Sequence, residues 1–204
     1  MKNISKLYYS TIGLFFQGAK LYRIDLNLFN RGLDLEEINQ FRFYMPNEND
    51  LALFEKLYEN VPGKINNISK IIKSGKYLCF AYQDTKSNRL AYTRWICKTE
   101  FYSDAMRKKL IFKQDEVLTL DSYTHPDYRF SGLHKNMNIQ MLQWLKANTQ
   151  IRYVYMVILI FIPHLTKIPV ELGYRQVEST FYCKKGSGAA FLNLIKRKLN
   201  VSTI

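Results

Sequence analysis

Residues 121–134, DSYTHPDYRFSGLH, gather the groups of this chain that could do chemistry. A strand is expected to end at Thr124, and Pro126 cannot donate to a sheet ladder, so the chain leaves the sheet there. A helix is expected to begin near Ser131, which makes 128–132 a tight loop. Consecutive backbone N–H groups at a helix N-terminus form a nest for an anion, and the helix dipole adds to its pull. Gly132 lets the backbone come close to a phosphate, and Arg129 adds a positive side chain. Read from the residues alone, this is a phosphate site. Asp121 and Glu116 lie on the strand that enters it, and either carboxylate could accept a proton from an attacking group. Both could equally be solvated strand-edge carboxylates. His125 and His134 have side chains suited to proton transfer near neutral pH. His134 opens the helix, where touching phosphate, or nothing, is expected rather than acting as a base. Tyr123 and Tyr128 read as packing residues, and Tyr182, on a late strand, offers a phenol.

These groups need a frame. Residues 20–28 alternate in polarity and predict a half-buried strand, and 41–45 a second, short one. Helices are expected over 49–60, which starts on capping residues and stops at Pro62-Gly63, and over 66–74. The segments 76–83 and 90–98 form a hairpin around the turn residues 84–88. A long strand follows over 112–124, then a helix over 131–148 with Leu133, Met137, Met141, Trp144 and Leu145 on one face. The apolar run 151–162 predicts a strand buried on both faces. A short helix over 163–172 ends at Gly173, and 174–184 returns as a strand. Residues 3–18 read as an amphipathic helix that caps the domain or lies on a membrane surface, 34–37 as weakly helical, and 189–199 as a basic terminal helix. The order predicts an α+β fold: a mostly antiparallel sheet that gains one parallel strand through the crossover helix. The chain divides into an extension, 1–19, and one domain, 20–204. No partner strand for 174–184 is evident, unless 189–194 supply it.

The composition agrees with a globular chain. It has 204 residues, 47% apolar, with 15 Tyr and 13 Phe, which argues against disorder. A net charge of +13 favours anionic partners such as nucleic acid, lipid or phosphorylated cofactors. The three cysteines, Cys79, Cys97 and Cys183, have neither zinc nor disulfide-framework spacing, so no metal is expected and a reducing cytoplasm is the simplest setting. The longest apolar run is too short to span a bilayer. The basic start with its broken apolar core makes a poor signal peptide.

The segment THPDYRFSGLH resembles the acyl-CoA loop of the GNAT superfamily of N-acyltransferases. Its pattern is Gln/Arg-x-x-Gly-x-Gly/Ala, after a strand ending in Val-x-Pro-x-Tyr/Phe-Arg. Arg129 and Gly132 match the first two fixed positions. His134 stands where the family usually has Gly or Ala, and Phe130 where many members have Gly. Downstream, Glu171-Leu-Gly-Tyr-Arg175 is similar to the family's Lys-Leu-Gly-Phe/Tyr-Arg/Lys turn, at the spacing that a helix, a strand and a short helix require. The hairpin 76–98 resembles the strand pair before the cofactor loop. The resemblance covers about residues 40–184. It implies that Tyr123, Thr124, Arg129, Phe130, Ser131, Gly132, Leu133 and His134 contact the cofactor. It also implies that an amine attacks the acyl-CoA thioester directly, with Asp121 or Glu116 as base and a backbone N–H near Thr124 polarising the carbonyl. Two departures stand out. Residues 161–164, FIPH, replace the Asn-x-x-Ala/Ser often found by the pantetheine arm, and Pro169 replaces the Tyr that commonly protonates the leaving thiolate.

Three functions are compatible with this resemblance. The first is transfer of an acyl group, most simply from acetyl-CoA, to a small-molecule amine. The layout is similar to bacterial members associated with surface-polysaccharide synthesis, which suggests an amino sugar. The second is a toxin acetylating aminoacyl-tRNA, consistent with the basic tail 196–198. The third is a GNAT-like protein that binds acyl-CoA without catalysis. A homodimer through the late strands is a further expectation of the family.

Overall fold

The computed structural model describes residues 16–32, 38–61, 63–64, 68–160 and 162–183. Nine strands and four helices occur among them: β1 (Phe16–Asp25), β2 (Phe41–Tyr44), α1 (Leu51–Leu57), α2 (Ile68–Lys73), β3 (Tyr77–Asp84), β4 (Leu90–Cys97), β5 (Glu100–Ser103), β6 (Lys108–Ile111), β7 (Glu116–Thr124), α3 (Leu133–Asn148), β8 (Tyr153–Leu159), α4 (Lys167–Glu171) and β9 (Arg175–Cys183). Seven strands form one sheet in the order β2-β3-β4-β7-β8-β1-β9, and β5 and β6 form a separate hairpin. Every pairing in the large sheet is antiparallel except β7 with β8. Parallel neighbours need a crossover, and the 16-residue helix α3 supplies it. The α+β fold and the crossover expected from the sequence are therefore present.

Side-chain alternation gives each face of the sheet its own core. Phe80 and Tyr82 of β3, Tyr92 and Ile96 of β4, Val117 of β7 and Val154, Met156 and Ile158 of β8 pack under α3, against Leu133, Met137, Met141, Leu142 and Leu145. On the opposite face Cys79, Ala81, Leu90 and Trp95 bury Phe54 and Leu57 of α1 and Ile68 of α2. Farther along that face the β5–β6 hairpin lays Met106 and Leu110 over Ala19, Leu21, Cys97 and Leu118.

Several boundaries differ from the sequence expectation, for physical reasons. The segment expected as one strand over 112–124 starts only at Glu116, whose carboxylate accepts the Lys113 N–H at 3.0 Å and closes a turn there. The β5–β6 hairpin before it carries no Gly, Pro or Asn turn signal, and its turn relies on Arg107 in a left-handed conformation at φ 52°. β8 is not buried on both faces: its residues alternate between buried and half-buried, because aromatic and aliphatic residues occupy both sides and hide the period. The first strand stops at Asp25, where the carboxylate accepts the Asn27 N–H at 3.0 Å and starts a 3-10 turn. At its other end it begins at Phe16, so 16–18, expected as the end of a helix, are strand, and β1 runs across the expected 19/20 division. The 3–15 part of the first expected helix, the expected helices over 34–37 and 189–199, and the strand considered at 189–194, lie outside the described residues.

The main surprise is the place of β1. It lies between β8 and β9, antiparallel to both, and pairs with β9 from Phe16↔Cys183 to Arg23↔Arg175. The late strand 175–183 thus finds its partner at the beginning of the chain. Gly18 makes that fit possible: a Cβ there would lie 2.7 Å from the Thr180 carbonyl oxygen and 2.8 Å from Ile160 Cδ1. Gly18→Ala is therefore expected to destabilise the fold by about 2 kcal/mol through overpacking, read as a lower denaturation midpoint at unchanged slope.

Candidate active site

The site begins where two strands part. β7 and β8 pair in parallel from Glu116↔Tyr153 to Thr119↔Met156 and no further. Thr119 Oγ1 donates to the Tyr155 carbonyl at 3.0 Å at the head of the gap. On its other side β7 stays paired with β4 through Tyr92↔Thr124, but the register slips by one residue between Arg94↔Ser122 and Ile96↔Thr119. This bulge adds one residue to β7. Leu120 and Asp121 consequently both turn toward the α1–α2 face, where they line one pocket. Ser122 and Thr124 return toward α3. Beyond the strand, His125 N–H donates to the Ala91 carbonyl of β4 at 2.9 Å. Strand N–H groups alternate in direction, so those of Ser122 and Thr124 point toward the β8 side, into the gap.

The parting opens a cleft of about 460 Å³ that passes between the two faces of the sheet. Leu118, Leu120, Met156 and Ile158 give it apolar walls, His134 and Pro169 lie at the α3 side, and Phe101 and Asp104 of the hairpin region at the other. At the α3 mouth the chain makes a 3-10 turn over Pro126–Tyr128 and then two left-handed residues, Phe130 at φ 68° and Gly132 at φ 72°. The N–H groups of 130–134 have no acceptor among the described residues, while those of Lys135 and Asn136 fold back on the Gly132 carbonyl at 3.1 and 3.2 Å. Free N–H groups at the start of a four-turn helix form an anion cradle. Thr124, Tyr128, Ser131, Lys135 and Ile168 surround it.

The expected site residues separate into groups. Thr124, Phe130, Ser131, Gly132, Leu133 and His134 line this cradle. Leu133 is buried and anchors the helix start, whereas Phe130 is wholly exposed. Ser131 Oγ donates to the Tyr128 carbonyl and fixes the turn. Arg129 is exposed beside it. Tyr123 points the other way, its ring 5.1 Å from that of Tyr58 on the α1 face, so its side chain does not reach the cradle. Asp121 is half-exposed, ion-paired with Lys64, and lines both the cleft and a pocket walled by Tyr58, Tyr77, Trp95 and Phe101. Glu116 stands at the far end of β7, bound to the Lys113 N–H and to Tyr155 Oη, each at 3.0 Å, and does not line the cleft. His125 Nδ1 accepts the Asp127 N–H at 3.3 Å and faces a separate pocket with Lys56, Glu59 and Arg89. Tyr182 Oη donates to the Asp104 carbonyl at 2.9 Å, with Arg107 stacked 3.6 Å over its ring.

Tyr92 and Arg94, not singled out in the sequence, underlie the cleft on the α3 side. Tyr92 Oη and His134 Nδ1 share a hydrogen bond of 2.8 Å. Burial, with the Arg94 cation second, pushes the His134 imidazole down to about 4. Burial also raises the Tyr92 phenol. The imidazole of His134 is therefore held neutral and bonded to Tyr92, while the residue also lines the cradle. Tyr174, from the Gly173 turn at φ 96°, is buried with its Oη unpartnered. Among the described residues no three His, Cys, Asp or Glu side chains gather to hold a metal ion, and no helix is long and apolar enough to cross a membrane.

No protein-family model matches the chain, and no curated protein is similar to it in sequence. Solved structures match its fold. The GCN5-related glucosamine N-acetyltransferase region of a fungal multi-domain GH3 β-N-acetylglucosaminidase superposes with a TM-score of 0.62 at 11% identity, over 88% of this chain and 22% of that one. A GCN5-related N-acetyltransferase from Kribbella flavida gives 0.56 at 8% identity, over 88% of this chain and 64% of that one. AAC(6')-Iy, in complex with the bisubstrate analogue CoA-S-monomethyl-acetylneamine, gives 0.53 at 14% identity, over 71% and 97%. In the first two cases the chain spans less than two thirds of its counterpart's length. The chain thus has the GNAT acetyltransferase fold.

The half-buried, neutral His134 links stability to pH. As pH falls below about 6.5 the unfolded chain takes up this proton first, so the folded state loses stability until about pH 4 and then levels off. The total loss from this group is about 3 kcal/mol. His134→Asn should lack this component in urea unfolding measured at pH 7 and pH 4.5.

Proposed function

We propose that the protein transfers an acyl group from acyl-CoA to a primary amine of a small molecule. The observation that carries this reading is the continuity of three features: an N–H cradle at the start of α3, a gap between β7 and β8, and a carboxylate at its far mouth. The cradle suits the CoA pyrophosphate, the gap admits a narrow pantetheine arm, and the Ser122 and Thr124 N–H groups are placed to polarise a thioester carbonyl. Asp121 accepts the amine proton, directly or through water. The amine nitrogen bonds to the acyl carbon, the carbon–sulfur bond breaks, and CoA leaves as a thiolate that takes a proton from water. Holding both reactants in one cleft supplies much of the rate. Acetyl-CoA is the simplest donor.

The acceptor pocket supports an amino sugar. Tyr58, Tyr77, Trp95 and Phe101 give it an aromatic lining suited to the apolar side of a hexose, and Asp121 offers a carboxylate to its amine. The fungal structural counterpart is described as a glucosamine N-acetyltransferase. Lys64, paired with Asp121 and 4.9 Å above the Tyr58 ring, holds the place where such an ammonium would sit and must move aside.

Calorimetric titration with acetyl-CoA and CoA tests the cradle. The wild type should bind both and Gly132→Glu neither, because the new side chain brings bulk and negative charge to the nest and Gly132 adopts φ 72°. A folded wild type that binds neither ligand refutes the reading. With an amine acceptor in hand, Asp121→Asn should lower kcat about 100-fold, leave acyl-CoA affinity unchanged and remove the acidic limb of the pH–rate profile.

A further inference from the structure

Arg94 has an unusual environment for a cation. It sits in the middle of β4 with 4% of its surface exposed, on the α3 face between Tyr92 and Ile96. Its Nε is buried without a hydrogen-bond partner, and among the described residues no carboxylate forms an ion pair with it. Tyr174, which Arg94 influences electrostatically, has an unpartnered buried Oη. The groups it influences on that face, the Tyr92 and Tyr174 phenols and the His134 imidazole, are uncharged, and the two carboxylates that line the same cleft, Asp104 and Asp121, form no ion pair with it. A guanidinium cannot shed its proton to escape burial, and a buried charge without a counter-ion is strongly destabilising. Arg94 lines the cleft, so the missing anion can come from a ligand held there.

The chemistry of the cleft narrows the choice. A guanidinium fork pairs in bidentate fashion with a carboxylate or a phosphate. The walls contributed by Leu118, Leu120, Met156 and Ile158 suit an aliphatic chain and would leave a polyphosphate poorly solvated. Phosphate already has a place at the cradle of free N–H groups. The acceptor pocket lies on the opposite face of the sheet, with Asp121, whereas Arg94 faces α3.

We infer that Arg94 binds the terminal carboxylate of the donor's acyl group, so that the donor is a CoA half-thioester of a short dicarboxylic acid. This rests on the acyl-CoA reading above and extends it to the identity of the transferred group. The carboxylate is unchanged in the reaction; only the thioester carbon is exchanged, from sulfur to the acceptor nitrogen.

Calorimetry with succinyl-CoA, butyryl-CoA, acetyl-CoA and CoA, on the wild type and Arg94→Gln, tests it. Succinyl-CoA should bind the wild type at least about tenfold tighter than butyryl-CoA, as a charge-assisted hydrogen bond implies, and Arg94→Gln should remove that preference while leaving CoA affinity unchanged. Equal wild-type affinities for succinyl-CoA and butyryl-CoA would overturn the inference. So would an equal loss of affinity for all four ligands in the variant, which would assign Arg94 to a CoA phosphate. If the folded wild type binds no CoA ester, the acyl-transfer reading fails by itself, and nuclear magnetic resonance of the wild-type Arg94 Nε–H decides the carboxylate site. A saturable shift of that resonance with glutarate, absent with chloride at equal ionic strength, supports it; no shift overturns it.

Discussion

The site depends on the point at which β7 and β8 cease to be neighbours. Parallel strands that stayed paired to their ends would bury their N–H and C=O groups in each other. Here pairing stops at Thr119↔Met156, and β7 is left with one satisfied edge, toward β4, and one open edge. The bulge across from Trp95 works in the same direction: it turns Leu120 and Asp121 to one face and returns Ser122 and Thr124 to the other. The crossover helix, the cradle of free N–H groups and the aromatic pocket are then arranged about a single gap. The turn at Gly173 closes the arrangement by bringing Tyr174 beneath it.

Much of the fold was legible because its signals are local. Turn residues at 84–88, the apolar stripe of α3 and the breaks at Gly132 and Gly173 each act over a few positions, and the structure follows them. The β5–β6 hairpin escaped because its turn uses Arg107 at positive φ where glycine or asparagine would announce it. The partner of β9 escaped for a different reason: strand pairing is a long-range choice, and the alternation of 20–28 says that a strand exists without saying where it docks.

The site was legible at the loop and obscure beneath it. Gly132 and Arg129 could be matched to a motif. Asp121 and Glu116 were both candidate bases on one strand, and five positions and a bulge put the first at the cleft and leave the other tied to Tyr155. Arg94 did carry a signal. It is a charge at an inward position of LAYTRWIC, a strand buried along its whole length, and a buried charge is uncommon without a partner. Phe130 is the converse case. The backbone there adopts a left-handed conformation that suits glycine, and it keeps that conformation with a bulky side chain directed into solvent. Strain of this kind persists where the surrounding structure over-determines it; here the Ser131 bond to Tyr128 and the helix start on either side of the turn supply that constraint.

The position of β1 also sets the order in which the protein can assemble. Ala19 pairs with Leu159 on one side and Thr180 on the other, so the strand formed from the earliest described residues remains without neighbours until nearly all of the described chain has emerged. Contacts so distant in sequence slow folding, because the loop entropy is lost before the pairing rewards it. The β3–β4 hairpin and its helices can form on local contacts during synthesis. The half of the sheet that carries β8 cannot be finished until the two ends of the described chain meet.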